Sequence, residues 1–133
     1  MAAPEPVELV VHGRPVPKAR PRLGLGHTFT PQRTTAAEEL IVWHCRAAKL
    51  VGRFLEGPLR IDREYHGAHP LADIDNLDKL VFDALQVAGV IRNDRQVVSG
   101  WHARFPASKD EARTVIRIKP VALHVRIDAT RPT

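Results

Sequence analysis

At 133 residues the chain is long enough for one domain with a real core and short for two. Its composition, 44% hydrophobic and 26% charged, is that of an ordinary globular protein; no apolar run suits a membrane span or a signal peptide, so a cytoplasmic protein is expected. The single cysteine, Cys45, excludes a disulfide framework and a cysteine zinc site, and a formal charge of +5 with a pI near 10.0 favours a polyanionic partner.

Taken in order, Val7 to His12 is a β-rich run that predicts a strand, ended by Gly13 and Pro15. Residues 14–22 form a proline-stiffened basic arm. Arg14, Lys18, Arg20, Arg22 and Arg33 follow one another with no acid until Glu38. Prolines hold such a segment extended and splay its charges for phosphate contact, although a solvated loop has the same pattern. Gly24 and Gly26 mark a turn, and residues 27–30 a brief strand. Pro31 suits the first turn of a helix with Thr30 as its cap. That helix is expected to run to about Val51, with Leu40, Ile41, His44, Ala47, Ala48 and Val51 as its core stripe and Cys45 packed nearby. Trp43 falls at the stripe's edge or in a subunit contact. Gly52 and the Gly57, Pro58 pair close the element.

A strand follows over Leu59 to His66, with Leu59, Ile61, Arg63 and Tyr65 on one side. The loop of residues 67–72 then delivers the chain to an acidic stretch, Asp-Ile-Asp-Asn-Leu-Asp-Lys (residues 73–79), with Asp83 and later Asp94 beyond it. On a helix starting near Asp75, residues Asp75, Lys79, Asp83 and Gln86 share one face. Leu77, Leu80, Val81, Ala84 and Ala88 line the core side, flanked by Leu85 and Val87, and Phe82 lands near the polar face. Carboxylates presented this way suit a metal site. The structural alternative is equally simple: Asp75 as an N-cap, Asp78 favourable to the dipole, and an exposed i,i+4 ion-pair ladder. An EF-hand loop is ruled out, because its glycine and closing glutamate positions fall on Asp78 and Ala84. His66 and His69 are candidates for ligands or DNA contacts, and equally for plain surface residues. Gly89 ends the helix. One strand is expected from about Val97 to Phe105 and another over residues 112–119, stopped by Pro120, with a possible edge strand in residues 121–128 and a frayed terminus. The fold class is α+β: a single mixed sheet with two main helices packed on it, in one domain spanning residues 1–133. A helix from Asp75 to Ala88 is roughly 20 Å long, so Asp94 meets the first pair only if the following segment returns along it.

These motifs resemble the RusA family of Holliday junction resolvases, small dimeric endonucleases of bacteria and their phages. The resemblance rests on Pro-x-Pro-Lys-x-Arg-Pro-Arg (residues 15–22), Phe-Thr-Pro (29–31), Asp-x-Asp-Asn-Leu-x-Lys (73–79), Phe-Asp-Ala-Leu (82–85), and an acidic position followed by Gln-Val-Val. It covers about residues 7–119 and leaves 120–133 outside. Where the family has two adjacent acids, this chain has Asn93 and Asp94. The resemblance implies a homodimer acting on branched DNA, Mg²⁺ held by Asp73, Asp75 and Asp94, and Lys79 stabilising charge on the phosphate. Asp83 and Asn76 would be supporting residues, and Arg14, Lys18, Arg20 and Arg22 DNA contacts. The rival readings are a non-catalytic DNA-binding accessory protein and a nuclease preferring other branched DNA.

Overall fold

The computed structural model describes residues 5–19, 22–24, 27–29 and 32–121. The elements are β1 (Val7–His12), β2 (Arg22–Gly24), β3 (His27–Phe29), α1 (Gln32–Ala47), β4 (Leu59–His66) and α2 (Ile74–Val87). A 3₁₀ turn (Asp94–Gln96), β5 (Val97–Ser99), β6 (His102–Phe105) and β7 (Arg113–Pro120) complete the order. β7 lies antiparallel between β1 and β4, while the far side of β4 is taken in turn by β5 and β6, both parallel to it. This is the expected α+β architecture, one mixed sheet with two helices. A separate antiparallel ribbon of β2 and β3 adds to it. Only β3 was anticipated, because three residues are too few for β2 to show alternation, and Gly24 belongs to that strand rather than to the turn. The expected cap Thr30, with Gly26, Pro31, Arg20 and the tail beyond Val121, lies outside the described residues.

Period-2 alternation places the core. β4 turns Leu59, Ile61, Arg63 and Tyr65 inward. Across the ladder Ile61 faces Ile118, Arg63 faces Ile116 and Tyr65 faces Thr114, and β1 continues the rows with Leu9 and Val11. Both helices bury their apolar sides against this face. The opposite face is charged. Arg117 donates to Glu8 at 2.8 Å and to Glu64, and His66 pairs with Glu64 at 2.8 Å while stacking on Phe105. Such cross-strand pairs hold register, since a one-residue slip would send the charges inward.

α2 buries Leu77, Leu80, Val81, Ala84 and Leu85, with Ala88 just beyond its end, as periodicity requires. Val87 is exposed, not flanking the core. Gly89 ends the helix at φ +69°, its amide donating to Gln86 and that of Val90 to Leu85, a Schellman turn. α1 departs further from expectation. Its buried residues are Thr34, Ile41 and Cys45, whereas Leu40 and Val51 are each 42% exposed and Ala47 and Ala48 face solvent. The departure at its C-terminal end comes from a second Schellman turn, in which Lys49 takes the left-handed position usually held by glycine. Lys49 donates to Arg46 and Leu50 to Cys45, so the helix stops at Ala47 and Leu50 rather than Val51 reaches the core. Burial pushes the Cys45 thiol up to about 11, consistent with a packing role.

The strand expected over residues 97–105 is two strands. Gly100, at φ +134°, breaks it by pressing against β4: a Cβ built there would lie 2.0 Å from the Ile61 carbonyl oxygen. Trp101 re-enters the sheet, its amide donating to Asp62 Oδ1 at 3.0 Å and its carbonyl accepting from Arg63 at 2.9 Å. Among the described residues no helix is long and apolar enough to cross a membrane. Gly100→Ala should therefore lower unfolding free energy by about 3 kcal/mol or more, measured by urea denaturation, since both the conformation and the space demand glycine.

Candidate active site

The first site residues sit where the loop after β4 becomes α2. Arg104, exposed on β6 opposite Tyr65, donates to the carbonyls of His69 at 2.8 Å, Pro70 at 3.3 Å, and Ala72, gathering that loop around one guanidinium. Asp73 follows with extended backbone (φ −77°, ψ 129°) and is the N-cap. Its Oδ1 accepts from the Asp75 amide at 2.9 Å and its carbonyl accepts from Asn76 and Leu77. The capping role considered for Asp75 thus belongs to Asp73. Asp75 stands in the first turn, exposed, with no side-chain partner among the described residues. Two carboxylates one residue apart therefore face solvent at the positive end of a helix dipole.

The basic arm crosses this same turn. The Lys18 amide donates to the Asn76 carbonyl at 2.8 Å, laying the arm over the start of α2. The Lys18 ammonium pairs with Glu38 of α1 and lies 3.3 Å from Asp83 of α2. Burial pulls its pKa down, but these two partners together carry it above the ordinary lysine value. Lys18 is thus a brace between arm and helices. Asp83 also lies 3.9 Å from Lys79, the i,i+4 pair that spacing predicts, and Lys79 remains 62% exposed. Asn76 is exposed. Arg14 donates to the Gly67 carbonyl at 3.3 Å and is otherwise solvent-facing. The backbone of Arg22 lies in β2.

Asp94 opens the 3₁₀ turn that starts the return along α2. Asn93 caps this turn, accepting from Arg95 at 2.8 Å, and Gln96 closes the capping box by accepting from Arg92 and Asn93. The Gln96 amide also donates to Leu55 and Gly57, pinning the turn to the chain ahead of β4. Asp94 lines a shallow groove of about 300 Å³ with Arg63, Phe82 and residues 97–100. Phe82 is seven residues beyond Asp75, about 10 Å of helical rise. The chain does return, but Asp94 arrives beside Phe82 rather than beside Asp73 and Asp75. Among the described residues no three His, Cys, Asp or Glu side chains are gathered to hold a metal. The donor chemistry nevertheless fits a hard divalent cation, being carboxylate oxygen throughout with Asp75 uncommitted.

Between Asp75 and Asp94 lies a network the motif reading missed. Asp78, expected as a first-turn acid favourable to the helix dipole, is 8% exposed and turned to the sheet. The Tyr65 hydroxyl donates to its Oδ1 at 2.6 Å, the Arg63 guanidinium lies 3.3 Å from its Oδ2, and His102 Nδ1 meets that same oxygen at 2.5 Å. Burial pushes the Tyr65 phenol up, and the bond to Asp78 adds to it. Arg63, also 8% exposed, lies 4.9 Å from the Phe82 ring centre, and its Nε has no hydrogen-bond partner among the described residues. Phe82 is therefore covered within its own chain. The signal available in the sequence was Arg63 itself: an arginine in the inward register of a strand demands a buried carboxylate. His66 serves the far face of the sheet. His69 accepts from the Leu71 amide at 3.1 Å, a local turn.

The family model described as "Endodeoxyribonuclease RusA" matches residues 12–119. A curated relative, the crossover junction endodeoxyribonuclease RusA of Aquifex aeolicus (strain VF5), is 30% identical over 121 residues, covering 87% of this chain and 93% of the relative.

Two roles assigned above separate by mutation. Asp73→Asn keeps a capping acceptor and should unfold within about 0.5 kcal/mol of the parent, while Asp73→Ala should lose about 1 kcal/mol. Arg104→Ala should speed hydrogen exchange in residues 69–75 and lose about 1–3 kcal/mol, as three carbonyls lose a charged donor.

Proposed function

The chain belongs to the RusA family of endodeoxyribonucleases, and from that premise we propose that it resolves four-way (Holliday) DNA junctions by paired symmetric nicks, as a Mg²⁺-dependent homodimer. The observation that carries this reading is the exposed Asp73 and Asp75 pair at the start of α2, crossed by a basic arm bound to that turn. Asp73 and Asp75 would hold the cation, and Asp94 would complete the carboxylate set only by moving toward them from the Phe82 groove. A bound divalent cation supplies Lewis-acid polarisation of a phosphate oxygen and acidifies a water for in-line attack.

The chain's own groups do the rest. Lys79, one turn beyond Asp75 and free to reach out, binds the phosphate and offsets charge developing there. Asp83 holds Lys79 from behind. Arg14, Arg20 and Arg22 contact the DNA backbone, while Lys18, neutralised by Glu38 and Asp83, keeps the arm on α2. The products are a 5′-phosphate and a 3′-hydroxyl. A homodimer supplies two such sites for two strands related by a two-fold axis, and two-fold dimers are the commonest closed assembly. Phe82, covered by Arg63, lends that assembly no support.

Synthetic junction and linear duplex test the reading together. Symmetric nicks in the junction are expected with Mg²⁺ and none with EDTA; cleavage indifferent to chelation ends the metal assignment. Because Asp73 is the cap, Asp75→Asn should leave stability unchanged, abolish cleavage and retain junction binding. Normal cleavage by that variant would remove Asp75 from the site. Alanine at Arg14, Arg20 and Arg22 should reduce the slope of log K against log salt by about 2 to 3 units, near 0.9 per lost phosphate contact. Light scattering at micromolar concentration should report about twice the 14.8 kDa subunit mass. A monomer on and off the junction would exclude paired nicking.

A further inference from the structure

The buried Asp78 network ends at the surface in one group, His102. This imidazole stands on β6, the edge strand beside β4, and its side chain is 39% exposed. Asp78 accepts at Oδ1 from the Tyr65 hydroxyl and lies against the Arg63 guanidinium at Oδ2, so both of its oxygens already face donors. The 2.5 Å contact from His102 is then a donation by Nδ1–H. That fixes the ring's tautomer and orientation and leaves Nε2, on the opposite side of the ring and without a partner among the described residues, as the atom offered to solvent. The pair also occupies the gap between the two parts of the acidic site. Asp78 is three residues along α2 from Asp75, and its partner Arg63 lines the groove that holds Asp94.

Packing alone does not account for this arrangement. A buried arginine–aspartate pair is rarely better for stability than an apolar pair of equal volume. Arg63 also keeps a buried Nε unpaired among the described residues, a polar cost tolerated beside the groove. An orienting carboxylate behind an imidazole whose other nitrogen is open is the geometry of a proton-transfer dyad.

We propose that His102 is a catalytic residue of the nuclease reaction, accepting at Nε2 the proton of the attacking water, with Asp78 as its positioning residue. The water oxygen forms the new bond to phosphorus as its proton passes to Nε2. The bond from phosphorus to the 3′ oxygen breaks, and that oxygen leaves with the electron pair and takes a proton from solvent. His102 returns its proton to solvent, and the sum is hydrolysis. This inference rests on the nuclease reading above.

Single-turnover cleavage of the junction in Mg²⁺ separates the two. His102→Gln keeps a polar side chain at a partly exposed edge position but cannot carry the proton. Its cleavage rate should fall at least about 100-fold with junction affinity within about twofold of the parent. Added imidazole should restore a substantial part of the rate to His102→Ala. His66→Gln, on the opposite face of the sheet, should cleave normally. His102→Gln cleaving within about threefold of the parent would overturn the proposal. So would a loss confined to affinity with the rate at saturation intact, which would make His102 a phosphate contact. A parent protein inert on all DNA with divalent cations would instead bring down the nuclease reading, and His102 with it.

Discussion

The Asp78 carboxylate sets how α2 sits on the sheet, and the site inherits its geometry from that. It accepts from Tyr65 and faces Arg63 on β4, and it takes His102 from β6, so three side chains on two strands converge on one helical residue. Apolar contacts from Leu77, Leu80, Val81 and Ala84 bury the helix but are tolerant of rotation about its axis. A charged, directional set of partners is not. Turning α2 by one residue, 100°, would carry Asp78 out of the core and strand Arg63 without a counter-ion. Removing one member of such a pair costs about 3–5 kcal/mol, a large fraction of the stability of a domain this size. With Asp78 fixed inward, Asp75 and Lys79 are fixed outward.

A second tie acts on the other side of the same turn. The arm's hydrogen bond from Lys18 to Asn76 is a single backbone bond, worth about 1 kcal/mol. Three prolines among residues 15–21 reduce the entropy that the unfolded arm would otherwise gain, so a modest bond and a half-buried ion pair suffice to hold it. Lys18 reaches α2 because the arm is attached there. Arg104 does the equivalent for the loop ahead of Asp73, drawing its carbonyls inward so that the chain enters the helix with Asp73 in the extended conformation an N-cap needs.

What could be read from the residues divides along physical lines. β1 and β4 were legible to their ends, because alternation has period two and glycine or proline marks each boundary. The buried face of α2 was legible for the same kind of reason. The end of α1 was not, since Lys49 adopts a left-handed conformation that its residue type disfavours and only tertiary packing of Leu50 explains. The break at Gly100 depends on the approach of β4, which local pattern does not contain. On α2, the outward placing of Asp75 and Lys79 followed from spacing along one helix. Asp78 and His102 did not, because they are 24 residues apart and meet only through the parallel pairing of β4 with β6. Asn93, which reads as a departure in an acidic position, takes on a capping role: asparagine and aspartate cap equally well, so the turn that carries Asp94 is kept while one charge is lost.

The charge distribution explains why so acidic a site is built into a basic protein. Asp73, Asp75 and Asp94 would confront a DNA phosphate with like charge, about 1 kcal/mol for each pair at 4 Å even in water and more where water is thinned. A helix N-terminus offsets part of this for the first two. Among the described residues the remainder falls to Lys79 on the next turn, beside the cluster rather than inside it. Lys18 also lies against α2, yet its charge is taken up by Glu38 and Asp83, so it stiffens the surroundings without neutralising the cluster. Asp75 is thereby left without an ion-pair partner among the described residues, the arrangement that the proposed site, receiving a cation and an anion together, would use.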